Sequence, residues 1–196
     1  MIEKLDVLPF PLRQSGITAY ENQKDSWIPI ITSRGCPFNC TYCSSCRIWG
    51  RKARLRSARN VVDEIKEMKD KLGIRLIDFE DDTFTMNPKH CIEICELLKK
   101  ENLGIEWSCL TRVDMLRDDV LRSIKDAGCT RVFVGIESGS DVTLKRINKN
   151  IKTEDVRKAV KLLKGYGFIV CGFAMYGFSW ETEADIRKTI DFMREL

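Results

Sequence analysis

The sequence predicts an α/β protein built on a parallel β-sheet, and two observations support this fold class. From Trp27 onward, short apolar runs alternate five times with longer stretches in which apolar residues recur at helical spacing. The apolar runs are nearly continuous, as in strands that helices cover on both faces of a sheet. Successive β-then-α units favour right-handed crossovers. A doubly wound sheet and an incomplete barrel both satisfy this pattern, and both gather functional residues at the carboxyl ends of the strands.

Each predicted strand is a short apolar segment between capping or turn residues. The first follows Trp27, and the others lie between successive predicted helices. The predicted strands cover residues 28–32, 74–79, 105–110, 131–136 and 168–176.

The predicted helices begin and end at residues typical of helix termini. Ser57 is an N-cap and Gly73 a C-terminal stop for the first long helix, whose apolar residues share one face. Asn87 followed by Pro88 opens the next helix, which Gly104 closes. Further helices are predicted around residues 120–124, at 140–147, at 153–164 and after Thr182, which forms a capping box with Asp185.

Residues 1–26 are interpreted as a leader that precedes a core domain of residues 27–196. The run Leu8-Pro9-Phe10-Pro11 is extended by its prolines, and the polar stretch up to Ser26 has the composition of a loop. The core is long enough for one domain with a sizeable hydrophobic interior.

Composition is that of an ordinary globular protein, with 43% hydrophobic and 32% charged residues in a chain of 196. No apolar run approaches the roughly 18 residues of a membrane span. The first residues lack the basic and apolar regions of a secretory signal. We therefore expect a cytoplasmic protein without a membrane partner.

The loop after the first predicted strand carries Cys36, Cys40 and Cys43. An electron-transfer [4Fe–4S] cluster usually ties each iron to a cysteine, so three thiolates leave one iron with open positions. The amino and carboxylate groups of S-adenosylmethionine (SAM) can occupy those positions. An electron from the reduced cluster can then break the sulfur–C5′ bond and release a 5′-deoxyadenosyl radical, with the cofactor carrying the difficult chemistry.

Cys46, three residues beyond Cys43, keeps two alternatives open. Four cysteines within eleven residues can close a zinc site or a fully ligated electron-transfer cluster. Ferredoxin runs place the three-residue gap last, whereas here it comes first. The other cysteines are predicted to be small buried hydrophobic residues. These are Cys91, Cys95, Cys109, Cys129 and Cys171.

A basic stretch from Arg47 to Arg59 concentrates much of the net charge of +4. Such a stretch either contacts phosphates or forms a solvated loop whose arginines pair with acids of neighbouring helices. Only Trp49 is interleaved there, which is poor support for base stacking. We favour the paired loop and do not expect nucleic acid as a partner.

The spacing C-x3-C-x2-C, with Tyr42 before the third cysteine, resembles the signature of the radical SAM superfamily, which also carries it after the first strand. Four further segments resemble strand-end motifs of its cobalamin-dependent class, which includes methyltransferases and the anaerobic magnesium-protoporphyrin cyclase. The resemblance implies a partial parallel β/α barrel, with a [4Fe–4S] cluster and SAM as cofactors. The four segments are residues 77–84, 111–114, 135–140 and 172–177.

The resemblance also implies contacts to SAM. Asp81 and Asp82 match the motif that contacts its amino group, and Asp82 is the favoured residue. Glu137 matches a polar residue near the ribose or amino group. Arg112 is placed to pair with the SAM carboxylate, and a salt bridge with Asp114 is the equal alternative.

On the adenine side, the resemblance implies close backbone approach at Gly172 and Gly177. Phe178 and Tyr42 are the corresponding candidates for ring contacts. The family commonly has a proline and a glycine after this point, whereas this chain reads Phe178-Ser179-Trp180-Glu181. The departure affects the shape of the loop that carries these contacts.

Two further departures concern what the chain lacks. Radical SAM cores usually have six β/α units, and the predicted units here number about five, so the core is expected to be incomplete at its C-terminal end. The cobalamin-binding Asp-x-His-x-x-Gly motif is absent, and the one histidine, His90, is predicted on a helix surface. Cobalamin is therefore expected only through a domain that this chain does not contain, and the isolated chain is expected to be inactive if it is truncated.

The resemblance thus implies an enzyme that cleaves SAM reductively and abstracts hydrogen from a small molecule, with methyl transfer or cyclisation as candidate outcomes. A reducing donor such as flavodoxin or ferredoxin is implied as a partner. A tRNA-modifying radical SAM enzyme is the alternative within the superfamily. A zinc or electron-transfer module that uses Cys46 is the alternative outside it.

Overall fold

The computed structural model describes residues 2–13 and 26–196. Most of the polar stretch predicted as a loop, residues 14–25, therefore lies outside the described residues. Within the leader, a short 3-10 turn at Leu5–Val7 precedes the extended proline-containing segment. Among the described residues no helix combines the length and apolar character that crossing a membrane requires.

The core alternates strands and helices along the chain, as the sequence predicts. Short 3-10 turns at Phe84–Met86 and Val113–Met115 follow two of the strands. The elements are β1 (Trp27–Ile30), β2 (Ser33–Arg34), α1 (Ser45–Ile48), β3 (Arg54–Leu55), α2 (Ala58–Leu72), β4 (Leu76–Phe79), α3 (Pro88–Lys100), β5 (Glu106–Arg112), α4 (Asp118–Asp126), β6 (Cys129–Glu137), α5 (Asp141–Arg146), α6 (Thr153–Gly165), β7 (Ile169–Ala174) and α7 (Glu183–Glu195).

The main sheet has five parallel strands in the order β1-β4-β5-β6-β7, which is their order along the chain. A doubly wound sheet reverses its strand order at one point, where its ligand binds. This sheet has no reversal, so it is wound in one direction as in a β/α barrel. The structure thus confirms the α/β class and, of the two architectures, the partial barrel.

The hydrophobic core lies between the sheet and its helices. Phe79, Phe84 and Trp107 form an aromatic group, with ring centroids 4.8 to 5.4 Å apart. The Trp107 indole donates a hydrogen bond to the Ala127 carbonyl oxygen at 2.7 Å, which satisfies its one polar atom. Burying such a side chain contributes about 1.5–3 kcal/mol. This packing holds the strands rigidly and fixes where their carboxyl ends lie.

The helix termini follow the predicted chemistry. The Ser57 side chain accepts a hydrogen bond from the Asn60 amide, and Gly73 adopts the left-handed conformation that ends α2. Asn87 caps α3 beside Pro88, and Thr182 forms a reciprocal capping box with Asp185 at α7.

Three local expectations need correction. His90 is buried, and its Nε2 lies 2.7 Å from the Arg56 carbonyl oxygen, so it is not a surface residue. Cys171 is only half-buried, because β7 is an edge strand with one neighbour. Helix α3 ends at Lys100, before Gly104. Cys91, Cys95, Cys109 and Cys129 are buried as expected.

The basic stretch is largely paired. Arg56 lies 2.6 Å from the buried Glu64, which also pairs with Arg13, and Arg59 contacts Glu101 at 2.8 Å. Arg54 donates to the carbonyl oxygens of residues 2 and 49. These cations therefore tie the leader and neighbouring helices together, as the paired-loop interpretation predicts.

Candidate cofactor-binding site

A cavity of about 190 Å³ opens at the carboxyl ends of the parallel strands. Its walls come from the cysteine loop after β1 and from the ends of β4, β5 and β6, with Phe173 added by β7. This is the edge where a parallel sheet positions its functional groups. The four cysteines of the loop all line it, namely Cys36, Cys40, Cys43 and Cys46.

The cysteine loop is closed by a hairpin that the sequence analysis missed. Strand β2 pairs antiparallel with β3, and the Cys36 amide donates to the Gly50 carbonyl oxygen at 3.2 Å. Gly35 has φ +106°, and a Cβ there would collide with the Lys52 carbonyl oxygen. A glycine is therefore required where the loop doubles back beside its own backbone.

Contacts to the end of α5 hold the same loop from the other side. The Thr41 amide donates to the Ile147 carbonyl oxygen at 2.9 Å, and the Asn148 side chain donates to the Asn39 carbonyl oxygen at 2.8 Å. The Asn39 side chain in turn accepts from Arg51 at 2.7 Å. The loop backbone is thus fixed by bonds that leave its thiols free.

Two of the three predicted ligand sulfurs, those of Cys40 and Cys43, accept hydrogen bonds from N–H donors. The Ser45 amide donates to Cys43 Sγ at 3.4 Å, and Arg112 Nη1 donates to Cys40 Sγ at the same distance. All three thiols are free. Among the described ranges, no three His, Cys, Asp or Glu side chains converge as they would on one metal ion. Three thiols around one cavity suit the larger body of a cluster, so the site fits a [4Fe–4S] group.

Burial raises the pKa of the Cys36 thiol above its ordinary value, although a backbone hydrogen bond at Phe38 lowers it. The nearby Asp82 and Cys43 raise it further, and Arg112 opposes them. Metal binding to this thiol must therefore displace a proton.

Glu137 and Lys149 form a buried ion pair in the wall of the cavity. Their side chains are 8% and 4% exposed, and Lys149 Nζ lies 2.8 Å from Glu137 Oε1. Glu137 ends β6 with φ +67°, a left-handed conformation that is strained for glutamate. A Cβ at Gly135 would collide with Glu137 Oε1 and lie 2.6 Å from Lys149 Nζ. The pair therefore depends on glycine at this position.

Tyr42 joins this pair, with its hydroxyl 3.5 Å from Lys149 Nζ. Burial raises the pKa of the Tyr42 phenol, and the charge of Glu137 raises it further, so the phenol stays protonated. Lys149 was missed by sequence reasoning. The one indication in the sequence was its position between two apolar residues, Ile147 and Ile151. Both are buried in the structure.

Arg112 is committed to protein partners. Its Nε and Nη2 atoms donate to the Asp114 carboxylate at 2.9 and 2.8 Å, and Nη2 also donates to the Lys149 carbonyl oxygen at 2.9 Å. The guanidinium lies 3.7 Å from the Phe38 ring centroid. Of the two alternatives posed by the sequence, the structure contains the salt bridge with Asp114.

The two neighbouring aspartates occupy different places. Asp81 is buried and accepts hydrogen bonds from the Thr32 amide and hydroxyl and from the Ser33 hydroxyl. Burial raises the pKa of Asp81 to about 6, against the lowering effect of these bonds. Asp82 lines the cavity, and Asp81 joins β4 to the loop after β1.

The predicted adenine contacts lie beside the cavity. A Cβ on Gly172 would lie 2.6 Å from Ile136 Cδ1, and the Gly177 and Phe178 amides donate to Glu181 at 2.8 and 3.1 Å. The Phe178 ring lies 6.5 Å from Tyr42, which does line the cavity. Phe173, which was not predicted, lines the cavity directly.

Comparisons with known proteins identify the family of the chain. The Radical SAM superfamily profile matches residues 30–193. An uncharacterized methyltransferase of Pyrococcus horikoshii is 36% identical over 199 residues, which cover 100% of this chain and 43% of that protein. The anaerobic magnesium-protoporphyrin IX monomethyl ester cyclase of Rubrivivax gelatinosus is 34% identical over 165 residues, covering 83% of this chain and 30% of the cyclase.

Two solved structures share the fold. The radical SAM methyltransferase TsrM of Kitasatospora setae matches 86% of this chain and 32% of its own, with a TM-score of 0.77 and 20% identity. The cobalamin-dependent radical SAM enzyme OxsB matches 85% and 26%, with a TM-score of 0.73 and 24% identity. The chain spans less than half the length of each of these relatives. The profile match covers most of the chain, and the chain belongs to the radical SAM superfamily.

Proposed function

We propose that Cys36, Cys40 and Cys43 hold a [4Fe–4S] cluster with one iron open to SAM. The observation that carries this proposal is that the three free thiols line one cavity at the carboxyl end of the sheet while two of them accept N–H donors. When bound, the cluster and SAM supply an electron and the 5′-deoxyadenosyl radical that begins the reaction. The chain's own residues bind, orient and shield these groups.

Asp82, Glu137 and Lys149 are our candidates for the polar contacts to SAM. Asp82 places a carboxylate on the cavity wall, and a carboxylate suits the SAM ammonium. Lys149 places a buried ammonium group on the same wall. It suits the SAM carboxylate better than Arg112 does, because the Arg112 guanidinium is paired with Asp114. Tyr42 and Phe178 remain our candidates for ring contacts, with Gly172 and Gly177 beside them. We propose that Asp81 supports the loop after β1, through its hydrogen bonds with Thr32 and Ser33.

For the whole protein, we propose hydrogen abstraction from a small molecule that leads to methyl transfer or cyclisation. The relatives named above include methyltransferases and a cyclase, which supports these outcomes. Cobalamin would enter through a domain outside this chain, and a flavodoxin or ferredoxin would supply electrons in the cytoplasm. We also propose that residues 1–26 are a linker and that residues 27–196 are an incomplete core. A tRNA substrate is disfavoured because Arg54, Arg56 and Arg59 have protein partners.

The proposal is tested by anaerobic reconstitution of the purified protein with iron and sulfide, followed by SAM and dithionite. We expect 5′-deoxyadenosine in chromatograms of the wild type and of Cys46→Ala. Cys40→Ala should form none. Cys171→Ala is a matched control, since this thiol is half-buried and outside the cavity. Loss of iron in Cys46→Ala as well as in Cys40→Ala would instead support a site that uses Cys46 as a fourth ligand.

A further inference from the structure

Arg112 makes a direct contact with one of the proposed cluster ligands. Its Nη1 lies 3.4 Å from Cys40 Sγ, and both residues are buried. Arginine is almost never buried unless its guanidinium is paired. Here one edge of the guanidinium faces an acid, and another faces a sulfur.

The guanidinium is held in one orientation. It has five N–H donors, and four hydrogen bonds use four of them: two to Asp114, one to the Lys149 carbonyl oxygen and one to Cys40 Sγ. The Phe38 ring packs on its face at 3.7 Å. Because rotation would break several bonds at once, the N–H···S contact is part of the fixed structure.

We propose that Arg112 is a positioning residue that raises the reduction potential of the cluster through Cys40. This inference rests on the proposed [4Fe–4S] site. One-electron reduction by an external reductant adds one negative charge to the cluster and its sulfur ligands. A cation that donates a hydrogen bond to a ligand sulfur stabilises the reduced form more than the oxidised form. Asp114 acts in the opposite direction, because its carboxylate partly neutralises the guanidinium.

The experiment is a redox titration of the reconstituted protein, monitored by the EPR signal of the reduced cluster. In Arg112→Gln we expect about a tenfold loss in the reduction equilibrium constant, which is a shift of about 59 mV to more negative potential. Arg112→Lys keeps the positive charge but loses the planar guanidinium, so its shift in reduction potential should be smaller than that of Arg112→Gln. Asp114→Asn should shift the potential in the positive direction.

Arg117 provides a matched control. It forms the same paired contacts with Asp119, at 3.0 and 2.8 Å, but both side chains are at least half exposed and lie outside the cavity. Arg117→Gln should therefore leave the potential unchanged.

Iron and sulfide content separates the possible failures. Wild-type protein that takes up no cluster overturns the proposed site. If the wild-type protein takes up a full cluster and the fully loaded Arg112→Gln variant keeps the wild-type potential, only this inference is overturned. Should Arg112→Gln fail to fold, Asp114→Asn decides, since an unchanged or more negative potential in that variant contradicts the role of the guanidinium charge.

Discussion

At the residue scale, the Glu137–Lys149 pair shows that the cavity wall contains charges that are largely buried. Lys149→Met should destabilise the fold by about 3–5 kcal/mol, because it leaves the Glu137 carboxylate buried without its partner. Urea unfolding measures this loss. Lys145→Met, at an exposed position of α5, is the control and should change little. Equal stability of the two variants would contradict the importance of the pair.

Asp81 gives the stability a predictable dependence on pH. Its pKa of about 6 in the folded chain lies above the roughly 3.9 of an unfolded aspartate. Between these values the folded chain keeps a proton that the unfolded chain has released. Stability should therefore fall as the pH rises from about 4 to about 6, by up to about 3 kcal/mol, and this contribution should stay level above that window.

Asp81→Asn should remove this part of the pH dependence, because an amide does not titrate. The free energy of unfolding of both proteins, measured in urea from pH 4 to pH 7, checks the prediction. Identical pH profiles for the two proteins would show that Asp81 titrates normally.

At the element scale, α7 packs closely on the loop after β6. A Cβ at Gly139 would lie 2.6 Å from the Lys188 carbonyl oxygen and 2.7 Å from Phe192 Cβ, so Gly139→Ala should cost about 1–3 kcal/mol. Gly165, the last residue of α6, has open space around its Cα. Gly165→Ala should be neutral or stabilise by up to about 1 kcal/mol. Chemical denaturation of both variants is the measurement, and a neutral Gly139→Ala would rule out the close packing.

Most elements could be predicted from the sequence, because period and capping are local. The five strands and the caps at Ser57, Asn87 and Thr182 all form where local chemistry favours them. The β2–β3 hairpin could not, since its two-residue strands are too short to carry a pattern. His90 was also misplaced, because its burial depends on the Arg56 carbonyl oxygen, far away in sequence.

The positions of some candidate site residues could also be predicted, because strand ends are local features of the sequence. The three cysteines and Asp82 lie where strand-end reasoning places them. Lys149 and Phe173 line the cavity because of tertiary packing, which the spacing of residues along the sequence does not indicate. Arg112 shows most clearly what the sequence leaves open. From the sequence, its guanidinium could pair with the SAM carboxylate or with Asp114, and the structure contains the salt bridge with Asp114.

At the scale of the whole molecule, the cavity joins the cysteine loop to the ends of β4, β5 and β6, so a bound cluster should stabilise the fold. Removing it with a chelator and ferricyanide should lower the melting temperature by several degrees. Circular dichroism in the far ultraviolet measures this change. Cys40→Ala should melt at the same temperature before and after reconstitution, and the same behaviour in the wild type would show that the cluster does not bridge these elements.

The most direct test of the central claim is the EPR spectrum of the reduced cluster with and without SAM. An open iron at the Cys36–Cys40–Cys43 site predicts that SAM changes the spectrum of the wild type and of Cys46→Ala alike. A fully loaded cluster whose spectrum SAM leaves unchanged would contradict the open site and, with it, the proposed function.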